Sequence, residues 1–85
     1  MWRDDALLLD ILLAAEDARE FARGLDWAQF SASKLHQSAI VRCLGIIGEA
    51  AAKVSGEFQK RHPEIPWREI VGMRKRLIHA YNDVW

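Results

Sequence analysis

The stretch RKRLIHAY, residues 74–81, carries Arg74, His79 and Tyr81 among Leu77, Ile78 and Ala80. An imidazole titrates near neutrality and is the commonest general acid or base where a site exists. A guanidinium keeps its charge, and its planar fork of donors suits an anionic oxygen. An ionised group in an apolar arc is costly unless it is paired, so Arg74 needs a partner, a ligand or a catalytic task. Metal chemistry has no local motif, because His36, His62 and His79 are scattered and Cys43 is the only cysteine. A single cysteine also excludes an internal disulfide, and Cys43 is expected as a small buried residue rather than a reactive thiol.

The element that must position these groups is a helix opened by HPEIPW. Pro63 and Pro66 disfavour helix at His62 and Ile65, whereas Pro66 suits the first position of a new helix. Set Trp67 at zero and advance about 100° per residue. Ile70, Val71, Leu77 and Ile78 then form an apolar arc, with Arg74 and Tyr81 inside it. Arg68, Lys75, Arg76 and Asn82 fall on other faces. One reading pairs Arg74 with an acid of another helix, Glu49 or Asp10, and leaves Tyr81 as core. His79 falls near Arg68 and Lys75, about 140° from Arg74. For the two to cooperate, either the helix bends at Gly72 or a second copy of the chain completes the site.

Two further helices precede this one. Leu7, Ile11, Ala14, Ala18, Phe21 and Leu25 recur at helical spacing from Asp4 to about Gly24. Leu8, Leu9, Leu12 and Leu13 extend that stripe almost round the helix, more than a short domain can cover alone, so a partner helix is expected. DWAQFSAS, residues 26–33, reads as a loop or short turn, with Ser31 or Ser33 as the next N-cap. Ile40, Leu44, Ile47, Ala51, Val54 and Phe58 then mark a helix reaching Phe58 or Lys60. Gly45 and Gly48 inside it imply close approach of another helix, and Glu49 either bonds across that contact or stays exposed. No repeat or strand alternation is present. The expected fold is an all-α antiparallel helical bundle.

At 85 residues and 9.8 kDa the chain fits one domain, residues 1–85. A hydrophobic fraction of 51% with 28% charged residues argues against disorder. The apolar run from Ala6 to Ala15 is too short to span a bilayer and no leader pattern is visible, so a cytoplasmic protein without membrane association is expected. The net charge of zero conceals an asymmetry. Asp4, Asp5, Asp10, Glu16, Asp17, Glu20 and Asp26 dominate the start, while Lys60, Arg61, Arg68, Arg74, Lys75 and Arg76 make the later half the place for an anion.

The combination of Arg-x4-His-x-Tyr with HPEIPWREIVGM, IIGEAA and the opening WRDDALLLDIL resembles the HepT-like proteins of the HEPN superfamily, across essentially the whole chain. That resemblance implies a small all-α dimer, the toxin component of a bacterial type VII-like toxin–antitoxin pair. It implies a metal-independent endoribonuclease, needing no cofactor, with Arg74 and His79 as the catalytic pair at a basic cleft between subunits. Arg68, Lys75 and Arg76 would bind RNA phosphates. Tyr81 would accept AMP from a nucleotidyltransferase antitoxin. Two features depart from the family pattern. Lys75 stands where a small polar residue is usual, and family members continue past the tyrosine with another helix whereas this sequence ends at Trp85, so a bundle lacking that last helix is expected. The other expectations are a non-catalytic helical module that docks on, or is modified by, a nucleotidyltransferase, and an oligomeric helical domain with neither activity.

Overall fold

The computed structural model describes the backbone of residues 2–81 and the side chains of residues 3–76. Its elements are α1 (Trp2–Ala22), α2 (Trp27–Ala32), α3 (Lys34–Lys53), α4 (Gly56–Arg61) and α5 (Trp67–Tyr81), with no strand among the described residues. The all-α expectation is met, with three long helices and two short ones. α3 is the axle of the fold, since α1, α2 and α5 all pack on it.

Small residues set the spacing of the helices. Ala14 of α1, Cys43, Ala50 and Ala51 of α3, and Val54 just beyond are the buried apolar side chains among the described residues. Cys43 is buried as expected, and burial, together with the Asp17 carboxylate, pushes its thiol upward, so it is held as the inert neutral form. Leu9, Leu12 and Leu13 are half-exposed at 53%, 55% and 50%, which agrees with the reading that α1 is too apolar for this bundle to cover.

The junctions are set by caps, and here the structure corrects the sequence reading twice. Residues 26–33 are not a plain loop. Asp26 accepts from the Gln29 N–H at 2.7 Å while the Gln29 side chain accepts from the Asp26 N–H at 2.9 Å, a reciprocal capping box that starts α2. Of the two candidate serines, Ser33 caps α3, accepting from the His36 N–H. Gly24 ends the α1 segment with a φ of 69°, a conformation that favours glycine.

The second correction concerns α3, which stops at Lys53 instead of reaching Phe58. Val54 turns extended and Ser55 becomes the N-cap of α4, its hydroxyl accepting from the Phe58 N–H at 3.2 Å. The cause lies at the far end of α1. Asp4, only 6% exposed, accepts from the Ser55 N–H at 3.0 Å and from the Ser55 hydroxyl at 2.6 Å. Together these bonds satisfy the break in α3 and fix the start of α1 beside the end of α3, so the two helices run antiparallel.

Ser55→Ala removes a cap and one of Asp4's donors, and should cost about 1–2 kcal/mol in urea unfolding. The same latch gives a pH signature. Hydrogen bonds from the Ser55 hydroxyl and then its N–H hold the Asp4 carboxyl below the ordinary aspartate value of 3.8. The native state therefore takes up its proton later than the unfolded chain. Its stabilisation is complete above the unfolded value and is lost as pH falls through the lower native one. The urea midpoint of the wild type should fall more steeply below about pH 4 than that of Asp4→Asn; parallel profiles would contradict the latch.

Candidate active site on α5

α5 is placed by the corner that precedes it. The Gln59 amide donates to the Val54 carbonyl at 3.0 Å, folding α4 back on the end of α3. The Trp67 indole N–H donates to the His62 carbonyl at 3.0 Å, and its ring meets Phe58 edge-on with centroids 5.9 Å apart. The Pro66 carbonyl accepts the Ile70 N–H at 3.0 Å, which puts Pro66 at the cap of α5, one residue before the first helical position expected for it. The His62 ring stacks on Phe58 with centroids 4.4 Å apart, and its Nδ1 lies 3.2 Å from a Glu64 carboxylate oxygen. The Glu64 backbone and that imidazole contact lower the Glu64 carboxyl. His62 is thus engaged in building the corner.

Gly48 determines how closely α5 approaches. A Cβ placed on it would lie 2.6 Å from the Arg74 Cβ and 3.2 Å from the Ile70 carbonyl oxygen. The glycine expectation therefore holds for Gly48, while at Gly45 such an atom would meet nothing within 4 Å among the described residues. Of the two glycines, Gly48 is the one that the described residues of α5 touch.

Beside Gly48, Arg74 and Glu49 face one another. The Arg74 Nη2 is 3.7 Å from the Glu49 Oε2, and the Lys53 Nζ is 3.6 Å from Oε1 of the same carboxylate. Of the two acids considered as partners for Arg74, Glu49 is the one, and Asp10 is exposed elsewhere on α1. Both side chains of the pair are near half-exposed, 43% for Arg74 and 52% for Glu49. This is not a buried ion pair: solvent screens it and little desolvation is incurred. At 3.7 Å the contact is too long for a hydrogen bond, and Arg74 makes no side-chain hydrogen bond to any other described side chain or carbonyl.

Arg68, Lys75 and Arg76 are all exposed, as their positions on the wheel require. α5 continues as one helix through Gly72, and five helical steps turn residue 79 about 140° from residue 74. The backbones of His79 and Tyr81 belong to α5, while their side chains lie outside the described residues, as does Asn82. The sequence reading did not find Lys53. Its signal was available, a lysine four residues after Glu49 on one helix face, the favourable order for such a pair.

Among the described residues no group of three or more His, Cys, Asp or Glu side chains clusters as metal ligands would, and no helix is long and apolar enough to cross a membrane.

The sequence has relatives among known proteins. Residues 11–84 match the family model described as "Ribonuclease HepT-like". A Methanocaldococcus jannaschii protein named "Putative RNase MJ1380" is 42% identical over 79 residues, 93% of this chain and 72% of that protein. "Probable ribonuclease HepT" of Thermococcus cleftensis is 47% identical over 77 residues, 91% of this chain and 70% of that protein. No solved structure matches the chain. The family match covers most of the sequence and spans α3, α5 and the Arg-x4-His-x-Tyr stretch; the chain belongs to the ribonuclease HepT-like family of the HEPN superfamily.

Proposed function

We propose that this protein is a metal-independent endoribonuclease, the toxin component of a type VII-like toxin–antitoxin pair acting in the cytoplasm, with Arg74 and His79 as its catalytic residues. The neutral His79 imidazole takes the proton of a ribose 2′-hydroxyl as that oxygen attacks the adjacent phosphorus. The bond to the 5′-oxygen breaks, the 5′-oxygen leaves with a proton from solvent, and a 2′,3′-cyclic phosphate remains. The Arg74 guanidinium holds the charge that grows on the phosphoryl oxygens. Since positions 74 and 79 lie about 140° apart around one helix, the working site takes Arg74 from one copy and His79 from another across a homodimer. The half-covered Leu9, Leu12 and Leu13 leave apolar surface for such an assembly.

The observation that carries this reading is the state of Arg74. It is held by α3 at half-exposure, its donors unused by hydrogen bonds to described side chains, beside the exposed Arg68, Lys75 and Arg76. Family membership and two relatives whose names say ribonuclease support the same activity. Control follows from Tyr81. AMP added there by a partner nucleotidyltransferase would put a bulky anion against the site and repel RNA.

The purified protein should cleave RNA in EDTA to products with cyclic phosphate ends, and His79→Ala should slow this by about 10²–10⁴-fold. Intact RNA after incubation with the wild type, or equal cleavage by His79→Ala, would sink the proposal. Mass spectrometry showing adenylate on Tyr81 after incubation with the nucleotidyltransferase and ATP, with RNA left whole, would favour the non-catalytic helical module. The basic face predicts a further result. Affinity for single-stranded RNA should fall with salt, and replacing Arg68, Lys75 or Arg76 with Ala should each reduce the log–log slope by about 0.7. Unchanged slopes would remove those residues from the RNA path.

A further inference from the structure

We infer that Glu49 is a positioning residue that holds Arg74 aimed outward in the free protein and competes with RNA phosphate for it. The inference rests on the ribonuclease reading of Arg74 and adds to it a role for α3. Three observations carry it. Gly48 brings the α3 backbone against the Arg74 Cβ, which fixes the base of that side chain, and the next residue of α3 supplies the one carboxylate among the described residues that pairs with its guanidinium. The pair is 3.7 Å apart without a hydrogen bond and near half-exposed on both sides, so a phosphate offering a charge-assisted bidentate bond can displace the carboxylate. Lys53, 3.6 Å from the other oxygen of Glu49, gives the released carboxylate a cation to remain with. Glu49 therefore steers the guanidinium before substrate arrives and yields it when a phosphate docks.

This arrangement has a consequence that ordinary structural support lacks. Removing the charge of Glu49 frees Arg74 for the ligand but leaves it poorly aimed, so RNA binds more tightly while chemistry slows.

Binding is read with a 2′-O-methyl RNA oligonucleotide, which has no free 2′-hydroxyl and cannot be cut. Glu49→Gln should tighten its Kd about two- to fivefold, the scale of a half-exposed ion pair. The gain should vanish in the Arg74→Ala background, since the cycle isolates the coupling between the two side chains. Glu57→Gln, which removes an exposed carboxylate paired with Arg61 on α4, controls for the loss of one negative charge. In cleavage assays Glu49→Gln should lower kcat and KM together, whereas a fold defect would lower kcat through a smaller active fraction and leave KM unmoved. The inference is overturned if Glu49→Gln binds no better than wild type or no better than Glu57→Gln. It is equally overturned if the gain persists without Arg74, if kcat stays unchanged, or if the wild type does not bind the oligonucleotide. Should the binding cycle hold while the wild type cuts no RNA in EDTA, the ribonuclease reading falls and the Glu49–Arg74 competition stands as a property of RNA binding alone.

Discussion

Gly48→Ala should destabilise the protein, and Gly45→Ala, three residues away on the same helix, should stabilise it. Both substitutions gain about 1 kcal/mol of helix propensity. They differ in what the new methyl meets. At Gly45 nothing among the described residues lies within 4 Å, so the propensity gain is expected almost whole. At Gly48 the methyl would lie 2.6 Å from the Arg74 Cβ and 3.2 Å from the Ile70 carbonyl oxygen. Neither is the free end of a flexible side chain. Both are fixed to the backbone of α5, so the helices must separate. Overpacking of this kind costs about 1–3 kcal/mol, which outweighs the propensity term. Val at position 48 gains less propensity and adds two methyls to the same contact, so its loss should be the larger. Urea unfolding checks the signs, and a Gly48→Ala protein as stable as Gly45→Ala would show that α5 does not approach α3 there. Catalysis should report the same contact. The displaced residue is Arg74, and a misplacement on the order of 1 Å can cost about 10²-fold in rate, so Gly48→Ala should lose cleavage well beyond its loss of folded protein.

The contrast between these two glycines shows what a single sequence reveals of this fold. Local signals were legible because their causes lie within a few residues. Gly24 ends α1, Ser33 caps α3, and Pro63 with Pro66 separates α4 from α5. The Asp26–Gln29 box was equally local and could have been read from an Asp and a Gln three apart. The break after Lys53 was not legible, because the apolar spacing of Val54 and Phe58 continues the α3 pattern. What stops the helix is Asp4, 51 residues from Ser55. Which glycine faces a neighbour, and which acid meets Arg74, likewise depend on how α5 is docked on α3. The wheel did place Arg74 in the apolar arc, which the structure turns toward α3, and Arg68, Lys75 and Arg76 on other faces, where they are exposed. It could not supply the half-exposure of Arg74, which turns an expensive buried cation into an available one.

Mixing two inactive proteins should restore cleavage. Arg74→Ala and His79→Ala should each be close to dead, the second by about 10²–10⁴-fold. In a symmetric dimer whose sites each take Arg74 from one copy and His79 from the other, a heterodimer of the two variants has one site lacking both groups and one site intact. Equal amounts with free exchange give heterodimers as half of the population, so about a quarter of the wild-type activity should return. A site built within one chain predicts no recovery at any ratio, since every chain then lacks one of the pair. The geometry of α5 is what makes recovery the expected outcome. The helix is continuous through Gly72, five steps carry residue 79 to a different side from residue 74, and Arg74 is tied by its Cβ contact with Gly48 to the side facing α3. One chain divides the two positions between two sides of α5, whereas a second copy that presents its own helix can bring its residue 79 to the side that carries Arg74.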